Sequence, residues 1–155
     1  SAPLWNHETT VVAGYTLYDS PTFDGSSTIN DPGASSRLCL SCHDGTVALE
    51  NFSGITSGTN FIDPSARIGG LGGNDLSTDH PISFDFTDAL ATSDGGLFPP
   101  TTTNSGLGST IDNDMLFNSK MECASCHDVH NRFGVMHLLK MSNVNSELCL
   151  TCHNK

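Results

Sequence analysis

Residues 147–155 read Glu-Leu-Cys-Leu-Thr-Cys-His-Asn-Lys, and residues 37–45 read Arg-Leu-Cys-Leu-Ser-Cys-His-Asp-Gly. A third run, at 122–128, reads Glu-Cys-Ala-Ser-Cys-His-Asp. All six cysteines thus fall into three Cys-x-x-Cys pairs, each followed at once by histidine: Cys39, Cys42 and His43; Cys123, Cys126 and His127; Cys149, Cys152 and His153. With seven histidines in 155 residues, chance would produce this roughly once in ten thousand sequences. A disulfide framework gives no reason for the histidines. Zinc closes on two such pairs or on one pair and a separated histidine pair, so three pairs with three adjacent imidazoles fit no single tetrahedral centre. Cys-x-x-Cys-His is, however, the attachment pattern of c-type haem. On a helical turn the thiols at i and i+3 share a face and reach the two vinyl groups of one porphyrin, and the next imidazole lies on the same side, toward the iron. The three motifs predict three covalently bound c-type haems, with His43, His127 and His153 as proximal ligands.

Composition agrees with that reading. Only 36% of the chain is hydrophobic, with 15 Gly and 7 Pro, which is thin material for a core in 155 residues. Haem would supply the missing apolar bulk. The formal charge of −11, from 17 acidic and 6 basic residues, argues against nucleic acid or anionic membranes as partners, because phosphate contacts need Lys and Arg. No run of about 18 apolar residues is present, so no membrane span is expected. Beginning Ser1-Ala2-Pro3 rather than with Met, the chain reads as a mature form from which a signal peptide has been cut. Thioether formation outside the cytoplasmic membrane points to a periplasmic or extracellular location.

Four further histidines, His7, His80, His130 and His137, are available to three irons. An electron carrier fills both axial positions, whereas a catalytic or gas-binding haem keeps one open. A surplus of imidazoles therefore favours bis-His coordination. His130 follows His127 by three residues, which span at most about 10 Å. That is too short to round its own macrocycle, so as a ligand it would serve a neighbouring haem and hold two haems close together. The alternative for it is a surface position after a turn. His80 precedes Pro81, which extends the preceding backbone, and Phe84 and Phe86 alternate as in a short strand; the alternative is a hydrogen-bonded core histidine. His7 lies beside Trp5, the only tryptophan, whose flat ring suits a porphyrin surface; the alternative is an exposed residue in a loose terminus. His137 sits in an apolar run with Met136 and is the weakest of the four. Met115, Met121, Met136 and Met141 read as packing rather than as ligands.

Along the chain, residues 1–34 are turn-rich, and Ser35 or Ser36 is expected to cap a short helix that carries the first motif. Residues 51–118 contain no cysteine and read as loops around a few short strands. Ser146 is the expected cap of the last helix. The fold class is mostly irregular and haem-organised, with short helices at the CxxCH motifs and a few short β-strands, as a single domain over 1–155. Gly69-Gly70-Leu71-Gly72-Gly73 lacks the strand-and-helix context of a nucleotide loop. Ile111–Met115 lacks the Gly and final Glu of a calcium loop.

The phrases PLWNHE (3–8), RLCLSCHDGTVA (37–48), DHPISF (79–84), MECASCHDVHN (121–131) and KMSNVNSELCLTCHNK (140–155) resemble the doubled-CxxCH multihaem c-type cytochromes of anaerobic, often metal-respiring bacteria. The resemblance implies His43, His127 and His153 as proximal ligands and His7, His80 and His130 as distal ones. His137 departs from the pattern: it either supports a ligand or displaces His7. Some small cytochromes of this kind polymerise into extracellular filaments, and a His7 reaching into the next subunit would link haems across such an interface. The expected function is electron transfer without bond chemistry. Expected partners are redox proteins or extracellular electron acceptors, and a homopolymer is open to it. The competing function is a small multihaem reductase or a haem sensor, either of which needs an open axial position. Six scattered Lys and Arg disfavour an anion reductase.

Overall fold

The computed structural model describes residues 6–29 and 31–155. Trp5 and the Ser1-Ala2-Pro3 start lie outside the described residues. Among the described residues five α-helices form: α1 (Ala34–His43), α2 (Asp88–Asp94), α3 (Ile111–Met115), α4 (Cys123–Cys126) and α5 (Glu147–Cys152). Single 3₁₀ turns at Ser26–Thr28, Pro64–Ala66, Met136–Leu138 and Val144–Ser146 punctuate the loops between them. Even α1, at 10 residues, is shorter than an isolated helix needs to persist in water. Local caps and packing therefore hold each helix. The mostly irregular class with short helices at the motifs is what the sequence predicts.

The expected strands do not form. Among the described residues pairing is confined to isolated bridges, such as Asp85 with Lys120 and His127 with Leu139. Phe84 and Phe86 flank Asp85, and the Phe86 N–H donates to the Ser119 carbonyl at 2.8 Å. The pairing stops there because Ser83, Asn118 and Ser119 all have φ between 53° and 63°, left-handed backbone that breaks a pleat.

The caps also differ in detail from expectation. Helix α1 starts at Gly33, whose carbonyl accepts from Arg37 N–H at 2.8 Å. Ser35 and Ser36 lie inside the first turn, and Ser36 is fully buried. Gly33, extended at φ −62° and ψ 170° with no side-chain cap bond, is the N-cap in place of a serine. Ser146 does occupy the N-cap position of α5, but with φ 63° and no side-chain cap bond. Thr87 and Thr110 are working caps: their hydroxyls accept from Leu90 N–H and Asn113 N–H at the starts of α2 and α3.

The chain gathers into two compact units. The first lies within residues 1–19 and 30–81, the second within 20–29 and 82–155. In the first, Tyr15, Leu40, Val47, Ala48 and Leu76 are buried. Its glycine-rich turn closes tightly: Gly69, Gly70 and Gly73 have φ of 85°, 66° and 72°, and a Cβ on Gly73 would lie 2.5 Å from the Asp44 carbonyl oxygen. In the second, Phe84, Phe86, Ala91, Ile111, Met115, Leu116, Met121, Leu148 and Cys152 make one core cluster, with Phe23 packed edge-on against Phe84 at 5.1 Å.

Candidate functional site

Each cysteine pair stands on its own helix. Helix α1 carries Cys39 and Cys42 one turn apart and ends on His43, which is exposed. Leu40, between the two cysteines, is buried in the core of the first unit, so packing fixes the face on which the thiols stand. His7 is brought to this helix. The segment that bears it is pinned by Glu8 N–H to the Asn51 carbonyl at 2.7 Å and Ser53 N–H to the Asn6 carbonyl at 3.1 Å. Its ring is only 7% exposed. Nδ1 lies 2.7 Å from the Glu8 carbonyl, and Nε2 lies 3.1 Å from the Ala48 carbonyl and 3.5 Å from Cys42 Sγ. A neutral imidazole has a single N–H, so only one of the two carbonyl contacts is a hydrogen bond, and which one depends on the tautomer; in either case the Nε2 edge of the ring lies beside Cys42.

Immediately after His43, Asp44 is buried at 2% exposure. Its carboxylate accepts from the Thr10 hydroxyl, the Tyr15 hydroxyl at 3.2 Å, and the N–H and hydroxyl of Thr46 at 2.8 and 2.7 Å. Burial, opposed in part by the Thr10 hydrogen bond and reinforced by the Asp44 charge, pushes the Tyr15 phenol above its usual range. His80 is exposed, with Nδ1 2.9 Å from the Pro81 carbonyl.

In the second unit, α4 consists of little more than the pair Cys123 and Cys126. Glu122 and Ser125 close a capping box around it: Ser125 Oγ accepts from Glu122 N–H at 2.9 Å, and Ser83 donates to the Glu122 carboxylate at 3.2 Å. His127 is exposed, and its Nδ1 lies 3.0 Å from the His137 carbonyl oxygen. Next to it, Asp128 winds the following turn around its carboxylate, accepting from His130 N–H at 3.1 Å, Arg132 N–H at 3.0 Å and Arg132 Nε at 2.9 Å. The Arg132 side chain holds the Asp128 carboxyl down to about 2. That turn carries His130, exposed between Val129 and the chain leading to Phe133.

Helix α5 bears Cys149, exposed, and Cys152, 7% exposed within the core cluster. Burial pushes the Cys152 thiol up to about 12, with the neighbouring Cys126 and Cys149 adding to it. Cys126 packs against the same cluster, so the structure brings the second and third motifs together on one core. The Phe98 N–H donates to the Cys152 carbonyl at 2.8 Å, and His153 bridges Leu97. An open groove of about 460 Å³ runs along α5, lined by Val144, Asn145, Glu147, Leu150 and Thr151.

The donor set suits c-type haem. No disulfide joins any of the six cysteines, each pair sits one helical turn apart, and an imidazole follows each. Large apolar side chains stand exposed beside these motifs: Val129, Phe133, Met136 and Leu138 after His127, and Val144 and Leu150 about α5. A porphyrin face is a ligand fitted to cover them. Among the described residues no three His, Cys, Asp or Glu side chains converge as a metal centre of their own. Of the methionines, Met115 and Met121 are core residues, and Met141 Sδ accepts from the Thr151 hydroxyl at 3.2 Å. No helix among the described residues is long and apolar enough to cross a membrane.

Residues 116–155, which hold the second and third motifs, match the family described as the doubled CXXCH motif. No curated protein matches the chain. The match supports a multihaem c-type cytochrome-like family, and the CXXCH motifs indicate covalently bound c-type haem. A haem-binding motif of this type suggests electron transfer. Two features were not legible in the sequence: the buried Asp44 network, which no spacing announces, and the approach of the His137 carbonyl to the His127 ring.

Proposed function

We propose that this protein is a trihaem electron carrier with bis-His axial ligation, working in the periplasm or outside the cell. One observation carries the reading: three helix-borne cysteine pairs, each followed by histidine, two of them packed on a single core cluster. Haem supplies the one-electron chemistry, its iron passing between the ferric and ferrous states. The chain's own residues attach, orient and insulate. Cys39 with Cys42, Cys123 with Cys126, and Cys149 with Cys152 form the thioethers, and His43, His127 and His153 are the proximal ligands. His7, His80 and His130 are assigned as the distal ones. His7 is supported by its burial and by the 3.5 Å approach of its Nε2 to Cys42 Sγ on α1. His130 is supported by the turn that Asp128 winds beside the second motif. The shared core beneath motifs two and three supports close spacing of their haems.

Redox proteins or extracellular acceptors are the proposed partners, and the acidic surface suits a basic docking face. Polymerisation into a filament is an extension of the same reading. The test joins intact mass with electron paramagnetic resonance of the oxidised protein. Three haems by mass, all low-spin, uphold the carrier. One high-spin haem would give the open-site reading, a small reductase or a sensor, the stronger claim.

A further inference from the structure

His137 is a histidine beyond the number that three bis-His haems require. Its imidazole is exposed, whereas its carbonyl oxygen lies 3.0 Å from Nδ1 of His127. The backbone that places this oxygen is unusual. His137 and Leu138 have φ of 60° and 58°, two consecutive left-handed residues, a conformation disfavoured for any side chain with a Cβ. Such strain persists only where the surroundings hold it. Here they do: Asp128 N–H donates to the Leu138 carbonyl at 2.6 Å, Lys140 N–H to the Cys126 carbonyl at 2.9 Å, and His127 bridges Leu139. Lys140 is itself anchored, its Nζ donating to the Asp114 carbonyl at 2.8 Å at the end of α3. The loop after His127 is thus clamped back onto the second motif from both sides. The left-handed pair turns one carbonyl toward the His127 ring.

We infer that His137 is a positioning residue for His127 that acts through its backbone: its carbonyl accepts the Nδ1 proton of His127 and leaves Nε2 as the ring's ligating nitrogen. A hydrogen bond at the far nitrogen fixes both the tautomer and the ring plane, and it raises the basicity of the ligating one. A more basic ligand stabilises the ferric state and lowers the potential at that site. In this reading the axial set is His7, His80 and His130, and the His137 imidazole is not part of it. The inference rests on the proposed role of His127 as a haem ligand.

The test uses the intact holoprotein. Intact mass reports first whether the second motif carries haem; a chain without it there would overturn the haem reading itself. With haem present, nitrogen-15-labelled histidine in the unaltered protein should show a His127 Nδ1–H that exchanges slowly with solvent. Exchange as fast as that of an exposed imidazole overturns the inference. His137→Gly keeps the carbonyl and favours positive φ, so all haems should stay low-spin with their potentials unmoved. A new high-spin haem in this variant would instead make the imidazole a ligand. His137→Val opposes positive φ and should raise one potential while the others hold. Identical potentials for the two variants overturn the inference, and if the Val variant fails to fold, the exchange measurement and His137→Gly decide the matter.

Discussion

Asp44 shows how much one residue beside a motif can carry. A carboxylate at 2% exposure is tolerable only because four donors from Thr10, Tyr15 and Thr46 replace its water. Asp44→Ala strands those donors and should lower the unfolding free energy by about 3 kcal/mol, read from urea melts. Tyr15 offers a pH signature. Its phenol holds the proton above the usual value of 10.0 in the folded state, so between the unfolded and folded values the native chain binds more protons than the unfolded one. Stability on this account is intact below the unfolded value and falls as pH rises through the folded one. In Tyr15→Phe that alkaline loss should shrink, as seen by comparing urea midpoints at about pH 9 and about pH 11. An equal loss in both proteins would assign the alkaline sensitivity to other groups.

Among the elements, α4 depends most on its cap. It has four residues, Cys123–Cys126, too few for internal hydrogen bonds to sustain it. Ser125, fully buried inside the Cys-x-x-Cys pair, ties the helix to Glu122. Ser125→Ala should cost about 1–2 kcal/mol and reduce haem attachment at Cys123 and Cys126, scored by peptide mass after digestion, while Cys39 and Cys42 load as before. Undiminished loading would show that attachment does not need the preformed turn. The glycine turn near α1 is equally exacting. Gly73 has φ 72° and no room for a Cβ against the Asp44 carbonyl. Gly73→Ala should destabilise the first unit by at least about 1–2 kcal/mol, whereas Gly70→Ala, with the same sign of φ but open space, should cost only the backbone share. Differential urea melts of the two variants separate the two contributions.

For the whole molecule, the two units differ in what holds them. The second has a nine-residue cluster of buried apolar groups, while the first buries Tyr15, Leu40, Val47, Ala48 and Leu76 around a polar network. Hydrogen exchange of a form with every motif cysteine replaced by alanine should therefore leave Phe86, Ile111 and Met115 better protected than Leu40 and Val47. The reverse order would place the dominant core in the first unit. Replacing one cysteine pair at a time should remove one haem at a time from the intact mass.

The six cysteines and their three histidines were legible at once, because thioether chemistry imposes a fixed spacing of few residues that any sequence displays. The short helices followed from the same spacing, and the turn-rich residues 1–34 and loop-like residues 51–118 foretold a fold with little regular structure. Strands around Phe84 and Phe86 were a fair inference from alternation, yet local left-handed residues at Ser83, Asn118 and Ser119 cut them to bridges. Tertiary structure alone decided what lies far apart in sequence: His7 against Cys42, Thr10 and Tyr15 on Asp44, and motifs two and three on one core. Such contacts depend on where the chain returns, and no local pattern encodes that. The same holds for His137: its side chain marks it in the sequence, but it is the backbone oxygen, common to every residue, that meets His127.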